Sequence, residues 1–229
     1  MNHSQKQSQT KEPFNKVPLI IVLISGAFAT ILNQTLLATA LPHIMSDLNL
    51  DSNVVQWVQS IFMLVNGIMI PITAFLIERF TTRRLFLTAL GLFALGTSIC
   101  AVSPNFVLLL AGRVFQASGA GIIMPLMQTI LFLIFPVERR GTAMGMFGLV
   151  IGFAPAIGPT LSGWLVEQFP WRSLFYVILP IVIIDIIVAY FILRNVTELR
   201  NTKVDALSII LSTLGFGGLL YGCSVAGSS

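Results

Sequence analysis

A cationic side chain inside a long apolar run is the first feature of this sequence that could do chemistry. In Leu110-Ala-Gly112-Arg113-Val-Phe-Gln116-Ala-Ser-Gly119-Ala-Gly121, Arg113 and Gln116 are three positions apart and share one helix face. A charge inside a membrane helix costs at least about 2.5 kcal/mol on insertion scales. Two readings account for Arg113. Either its guanidinium lines a cavity, where it holds an anion or tunes a nearby carboxyl group, or it snorkels to the interface as an anchor. Asp185 stands near the middle of a second apolar run, where a carboxyl group is protonated unless paired or hydrated. Arg113, Gln116 and Asp185 are the candidates for proton coupling. Asn33 and Gln34 are polar positions in a third run, and Gln128 follows Arg113 in its own; these three are cavity candidates. Asn33 either meets a ligand or bonds to a neighbouring helix.

Glycine and proline mark a fourth run. Gly141, Gly145, Gly148 and Gly152 fall at spacings of four, three and four, a small-residue stripe suited to close helix packing. Pro155, Gly158, Pro159 and Gly163 follow, and two prolines inside one helix remove two backbone donors and predict a bent, moving helix.

These residues need elements to hold them, and composition says which. The chain has 229 residues, 55% hydrophobic and 10% charged, against about 25% charged in a soluble domain. That excludes a soluble metalloenzyme, a disulfide-rich secreted module and a disordered chain. Cys100 and Cys223 are far apart in apolar stretches, and His3 and His43 form no metal cluster. The net charge of +4 comes without a basic stripe, so nothing points to nucleic acid, and no cofactor-binding motif appears. Seven stretches are long enough to cross about 30 Å of hydrocarbon: Val17–Leu41, Val54–Ile77, Leu85–Val102, Phe106–Phe135, Thr142–Val166, Leu174–Leu193 and Ala206–Ala226. The polar residues 1–16 read as a disordered N-terminus and 195–205 as a loop.

Loop charges set the orientation. Lys6, Lys11, Lys16, Arg79, Arg83, Arg84, Arg139, Arg140, Arg194, Arg200 and Lys203 fall on one side, eleven of the thirteen cations, and only Arg172 on the other. The N-terminus is therefore expected in the cytoplasm. The chain stops at Gly-Ser-Ser soon after the seventh stretch, and the expectation is a fragment of a longer polytopic protein.

An internal repeat organises the first six spans. Ala74-Phe-Leu-Ile-Glu78-Arg-Phe80-Thr-Thr-Arg83-Arg-Leu85-Phe86 aligns with Gly163-Trp-Leu-Val-Glu167-Gln-Phe169-Pro-Trp-Arg172-Ser-Leu174-Phe175 at an offset of 89 residues, with six of thirteen positions identical. Each segment joins the second and third helices of a three-helix set. Three is odd, so the sets cross the membrane in opposite senses, an inverted repeat typical of secondary transporters. The repeats span 17–103 and 106–194.

On these residues the chain resembles the N-terminal half of the major facilitator superfamily, and within it the fourteen-span drug:proton antiporters that include bacterial multidrug and antiseptic efflux pumps. Leu76, Glu78, Arg79 and Arg83 match the family's loop signature, with Ala74 and Thr81 in place of its glycines and Glu78 in place of its aspartate. Arg113, Gln116 and Gly119 match the fourth-helix signature, and Gly158, Pro159 and Gly163 the fifth-helix signature of antiporters. Trp171-Arg172 with Phe175 and Pro180, and Ala40-Leu41-Pro42, also match. Where that group usually carries an Asp and an Asn in the first helix, this chain has Asn33 and Ala38, and an amide does not titrate.

The resemblance implies an all-α integral membrane fold: a six-helix bundle over 17–194, then the first of two linking helices over 206–229. It implies a proton-coupled exporter of hydrophobic, cationic compounds in the bacterial cytoplasmic membrane, completed by a missing C-terminal half. It implies a gating loop of Glu78, Arg79, Arg83 and Arg84, and Gly152, Pro155, Gly158, Pro159 and Gly163 as the antiporter helix. A sugar or metabolite porter of the same superfamily and a non-transporting seven-helix membrane protein are the alternatives. An enzyme is not expected: no nucleophile set, metal cluster or phosphate loop appears.

The charge bias makes a direct prediction. In a background without native cysteines, a cysteine at Asn53 reacts with an impermeant thiol reagent applied to intact cells, and one at Thr82 does not.

Overall fold

The structure, a computed structural model, describes residues 16–193 together with Gly215 and Gly218. Hydrocarbon offers the backbone no partners, so each crossing segment must satisfy its own N–H and C=O groups, which a helix does. The described chain runs α1 (Lys16–Asp47), α2 (Ser52–Val55), α3 (Trp57–Arg79), α4 (Thr82–Ala101), α5 (Phe106–Ile134), a 3-10 turn at Val137–Arg139, α6 (Arg140–Gln168) and α7 (Ser173–Ile192). The single turn of α2 leads into α3 and the two make one span. Six helical segments are long and apolar enough to cross a membrane. The expected seventh span, the 195–205 loop and residues 1–15 lie outside the described residues.

Most span boundaries shift from the sequence reading by one to three residues, and the end of the first by six. The first helix does not end at Leu41 but runs through Pro42 to Asp47. One missing donor does not break a helix whose end is tied down elsewhere: Trp171 Nε1 and Arg172 Nη1 each donate to Asp47 Oδ2 at 2.9 Å. The fifth span begins at Arg140 and stays one helix through both Pro155 and Pro159.

Lipid tails are as apolar as leucine, so close packing rather than water release holds membrane helices together. The tightest crossing is α4 on α5, and glycines make it. A Cβ at Gly96 would lie 2.5 Å from both Gly112 O and Gln116 N, and one at Gly119 would collide with Ala89 O. Gly121 does the same for α3, where Met69 Cβ would be 2.5 Å away. Phe86, Leu90, Phe93 and Leu109 fill the fully buried space around this contact.

The glycine stripe of α6 behaves differently from the expectation of close packing. Nothing lies within 4 Å of a Cβ built on Gly141, Gly145, Gly148 or Gly152. The stripe faces away from the described bundle, and Gly158 instead makes the close approach, against Thr35 of α1.

The repeat has a physical counterpart at the ends of α4 and α7. Arg83, at the start of α4, donates from Nη2 to Tyr190 O near the end of α7 at 2.6 Å and lies 4.8 Å over the Tyr190 ring. Arg172, 89 residues later and just before α7, donates from Nε to Ser103 O just past the end of α4 at 2.9 Å. Tyr176 Oη adds a bond to Ala101 O at 3.3 Å. Each repeat thus supplies an arginine that holds the last helix of the other.

Thr82 is buried, so silence of a cysteine there would report packing rather than sidedness; Asn53 and Arg84 are both exposed and form the informative pair. The packing itself predicts that Gly96→Val lowers the thermal midpoint of the detergent-purified protein, because overpacking costs about 1–3 kcal/mol. Gly91→Val on the same helix, with nothing within 4 Å of its Cβ, leaves the midpoint unchanged.

Candidate functional site

Four helices meet around Arg113. The side chain is fully buried inside the bundle and does not snorkel. Its Nε donates to Val58 O of α3 at 3.1 Å, and its Nη1 to Gln116 Oε1 at 3.0 Å. The guanidinium carbon lies 4.2 Å from the centroid of the Phe62 ring, so a cation–π contact covers one face. Gln116 passes the network on. Its Nε2 donates to Thr97 Oγ1 of α4 at 2.9 Å and to Asn33 Oδ1 of α1 at 3.4 Å. Cys100 lies at the edge, its Sγ 3.8 Å from Gln116 Oε1. Two buried donors of this network have no partner among the described residues: Arg113 Nη2 and Asn33 Nδ2.

Why the chain folds this way locally is plain from its small residues. Gly96 and Gly112 bring α4 onto α5 close enough for Thr97 and Cys100 to reach Gln116. The i, i+3 spacing of Arg113 and Gln116 then puts their side chains together.

Asp185 occupies a separate place between α7 and α1. It is buried, Ser25 Oγ donates to its Oδ1, and its Oδ2 has no partner. A Cβ on Gly26 would come within 2.9 Å of that free oxygen. The repeat relates this spot to the Arg113 network. Asp185 is the counterpart of Gly96 at the 89-residue offset. In the first repeat a glycine on the outer helix faces polar Gln116; in the second a polar Asp on the outer helix faces Gly26.

Arg113 and Asp185 are each one side chain from a groove. Phe62, which covers Arg113, also lines a groove of about 360 Å³ with Gln34, Asn66 and Ile70. Ser25, which bonds Asp185, lines another of about 500 Å³ with Ile20, Ile24, Phe28 and Met146.

The structure brings Arg113, Gln116 and Asn33 together and keeps Asp185 apart from them. Gln34 faces the first groove rather than the network. Gln128, about three turns beyond Gln116, is half-buried on α5. In the loop, Arg83 caps α7, Arg79 lies 5.9 Å over Phe75, and Glu78 and Arg84 are exposed. On α6, Gly152, Pro155 and Pro159 are exposed, Gly158 is packed on α1, and Gly163 has nothing within 4 Å of its Cβ. Sequence reasoning did not find Phe62, Val58 or Ser25. A phenylalanine and a backbone carbonyl in an apolar run carry no signal; Ser25 next to Gly26 was a weak one.

The sequence profile of the Major Facilitator Superfamily matches residues 23–228. The chain is 61% identical over 228 residues to the uncharacterized MFS-type transporter YcnB of Bacillus subtilis, covering 100% of this chain and 48% of that protein. It is 42% identical over 220 residues to the lincomycin resistance protein LmrB of Bacillus subtilis, covering 96% of this chain and 46% of that protein. It therefore spans about half the length of the curated relatives it matches. Among solved structures, the human organic anion transporter MFSD10 superposes with a TM-score of 0.70 at 18% identity, covering 81% of this chain and 49% of that one. At that identity the likeness speaks to the fold alone.

The network predicts the effect of removing its centre. Gln116→Leu strips the acceptor from Arg113 Nη1 and the donor from Asn33 and Thr97, each a loss of about 1–3 kcal/mol when buried. The thermal midpoint of the purified protein should fall well below that of Gln128→Leu, which lies about three turns away.

Proposed function

The chain belongs to the major facilitator superfamily, and from that premise we propose that it is the N-terminal half of a proton-coupled exporter of hydrophobic, cationic compounds. Export proceeds by alternating access, in which this half and a second one rock about a shared substrate site. The six-helix domain is residues 17–194, with repeats 17–103 and 106–194, and residues 206–229 begin the link to the second half. The N-terminus and the Arg83 end of α4 face the cytoplasm.

The observation that carries the reading is Asp185. A carboxyl group in the interior, held by Ser25 on one oxygen and open on the other, and with no cation against it among the described residues, can take up a proton and release it. Protonation removes a buried charge, so each protonation state favours a different packing of α7 on α1. Arg113 and Gln116 hold a second polar point on α1, at Asn33. α1 therefore connects the proton site to the cavity wall where Gln34 and Asn66 stand. The resistance named for LmrB supports a drug-like cargo, and the largely apolar lining of both grooves supports a hydrophobic one.

The remaining candidates take supporting roles. The exposed face of α6, with Gly152, Pro155 and Pro159 and the open side of half-buried Gly163, meets the second half. Arg83 steadies one conformation by gripping the end of α7, and Glu78, Arg79 and Arg84 keep the loop charged on its side of the membrane.

The test is proton-gradient-driven exchange of a fluorescent cationic dye in vesicles containing the full-length transporter. Asp185→Asn, a near-isosteric change that cannot titrate, abolishes dye-for-proton exchange at unchanged membrane abundance. Arg113→Lys also fails, because a point charge cannot serve Val58 O and Gln116 Oε1 as the planar fork does. Full exchange by Asp185→Asn would remove Asp185 from the coupling mechanism.

A further inference from the structure

Arg113 presents an unsolved electrostatic problem. Its guanidinium is fully buried, and among the described residues its hydrogen bonds go to neutral oxygens, Val58 O and Gln116 Oε1. The Phe62 ring adds a quadrupole, not a charge. A buried charge is ordinarily paired or neutralised. The two donors left over, Arg113 Nη2 and Asn33 Nδ2, belong to residues that Gln116 bonds from either side. One is cationic and the other neutral, and both only donate. A metal ion or an ammonium group finds no carboxylate at this spot among the described residues. A species that only accepts, and that carries one negative charge, satisfies both donors and the charge together.

We propose that the Arg113–Asn33 pair is a binding site for a small monovalent anion of halide or carboxylate class, which serves as the buried counter-ion of Arg113. Phe62 closes the site toward the groove it lines with Gln34 and Asn66, so rotation of that one ring gives the anion its route in and out. Its occupancy is read by binding alone, without any proton exchange at Asp185.

The test uses the purified protein in detergent and follows its thermal midpoint as chloride or acetate replaces gluconate at constant ionic strength. Gluconate is the bulky reference anion. Chloride or acetate should give a rise that grows with the logarithm of its concentration and reaches about 3–6 °C at roughly tenfold the Kd; which of the two acts identifies halide or carboxylate. Asn33→Leu keeps the branched shape of the side chain in a somewhat larger volume, and removes both the donor and the oxygen that accepts from Gln116 Nε2. It should purify as a monodisperse protein and need at least tenfold more anion for the same shift. A wild-type midpoint that is the same in all three anions would overturn the site and leave the donors to water. So would an Asn33→Leu protein that responds like wild type. Neither result depends on a proton gradient or a cargo, so failure here is separate from failure of the transport reading.

Discussion

A guanidinium that cannot reach water must be given acceptors by the protein, and the interior of this bundle is arranged around that demand. Arg113 takes a carbonyl from α3, an amide oxygen from its own helix and an aromatic face from α3. Gln116 in turn needs Thr97 of α4 and Asn33 of α1. These contacts are possible only because α4 and α5 touch backbone to backbone at Gly96 and Gly112. The glycines carry no chemistry, yet a methyl group on either would push the polar centre apart. Packing and electrostatics are here one constraint: small residues permit the approach, and the polar network fixes which helices make it.

Much of this was legible in the sequence, for a reason. The six spans of the described residues and the shared face of Arg113 and Gln116 follow from two strong rules, hydrocarbon thickness and helical periodicity. The 89-residue repeat located the paired arginines, though not what they would grip. What could not be read were partners without a sequence signature. Val58 contributes only its carbonyl, Phe62 looks like any apolar residue, and Ser25 meets Asp185 across 160 positions. Pro42 misled for a related reason. Local rules treat proline as a stop, but Asp47 is held from a distant loop by Trp171 and Arg172, and that tie outweighs one lost donor. The glycine stripe of α6 shows the opposite error. Its pattern signals a close neighbour, and the described bundle does not supply one.

The two repeats have diverged by exchanging polarity across equivalent contacts. Gly96 faces Gln116, and its counterpart Asp185 faces Gly26, so the small and polar partners are swapped, one position out of strict register on the facing helices. α1 touches both, at Ser25 and at Asn33, about 12 Å apart along its axis at the rise of an α-helix. A tilt or turn of α1 therefore disturbs two buried polar points at once, although the residues concerned never meet.

The paired arginines at the ends of α4 and α7 have a consequence for the surrounding lipid. The two helices are each 20 residues long and pinned at both ends, Arg83 to Tyr190 and Arg172 to Ser103. Sliding one past the other would break both ties, so this pair works as a ruler of about 30 Å. A bilayer thicker or thinner than that ruler cannot be matched by shear within the bundle. It must be met by tilting the unit as a whole or by deforming the lipid around it, at fractions of a kcal/mol per Å of mismatch. Membrane thickness then becomes an input to the protein's orientation, entering through two arginines that touch no substrate.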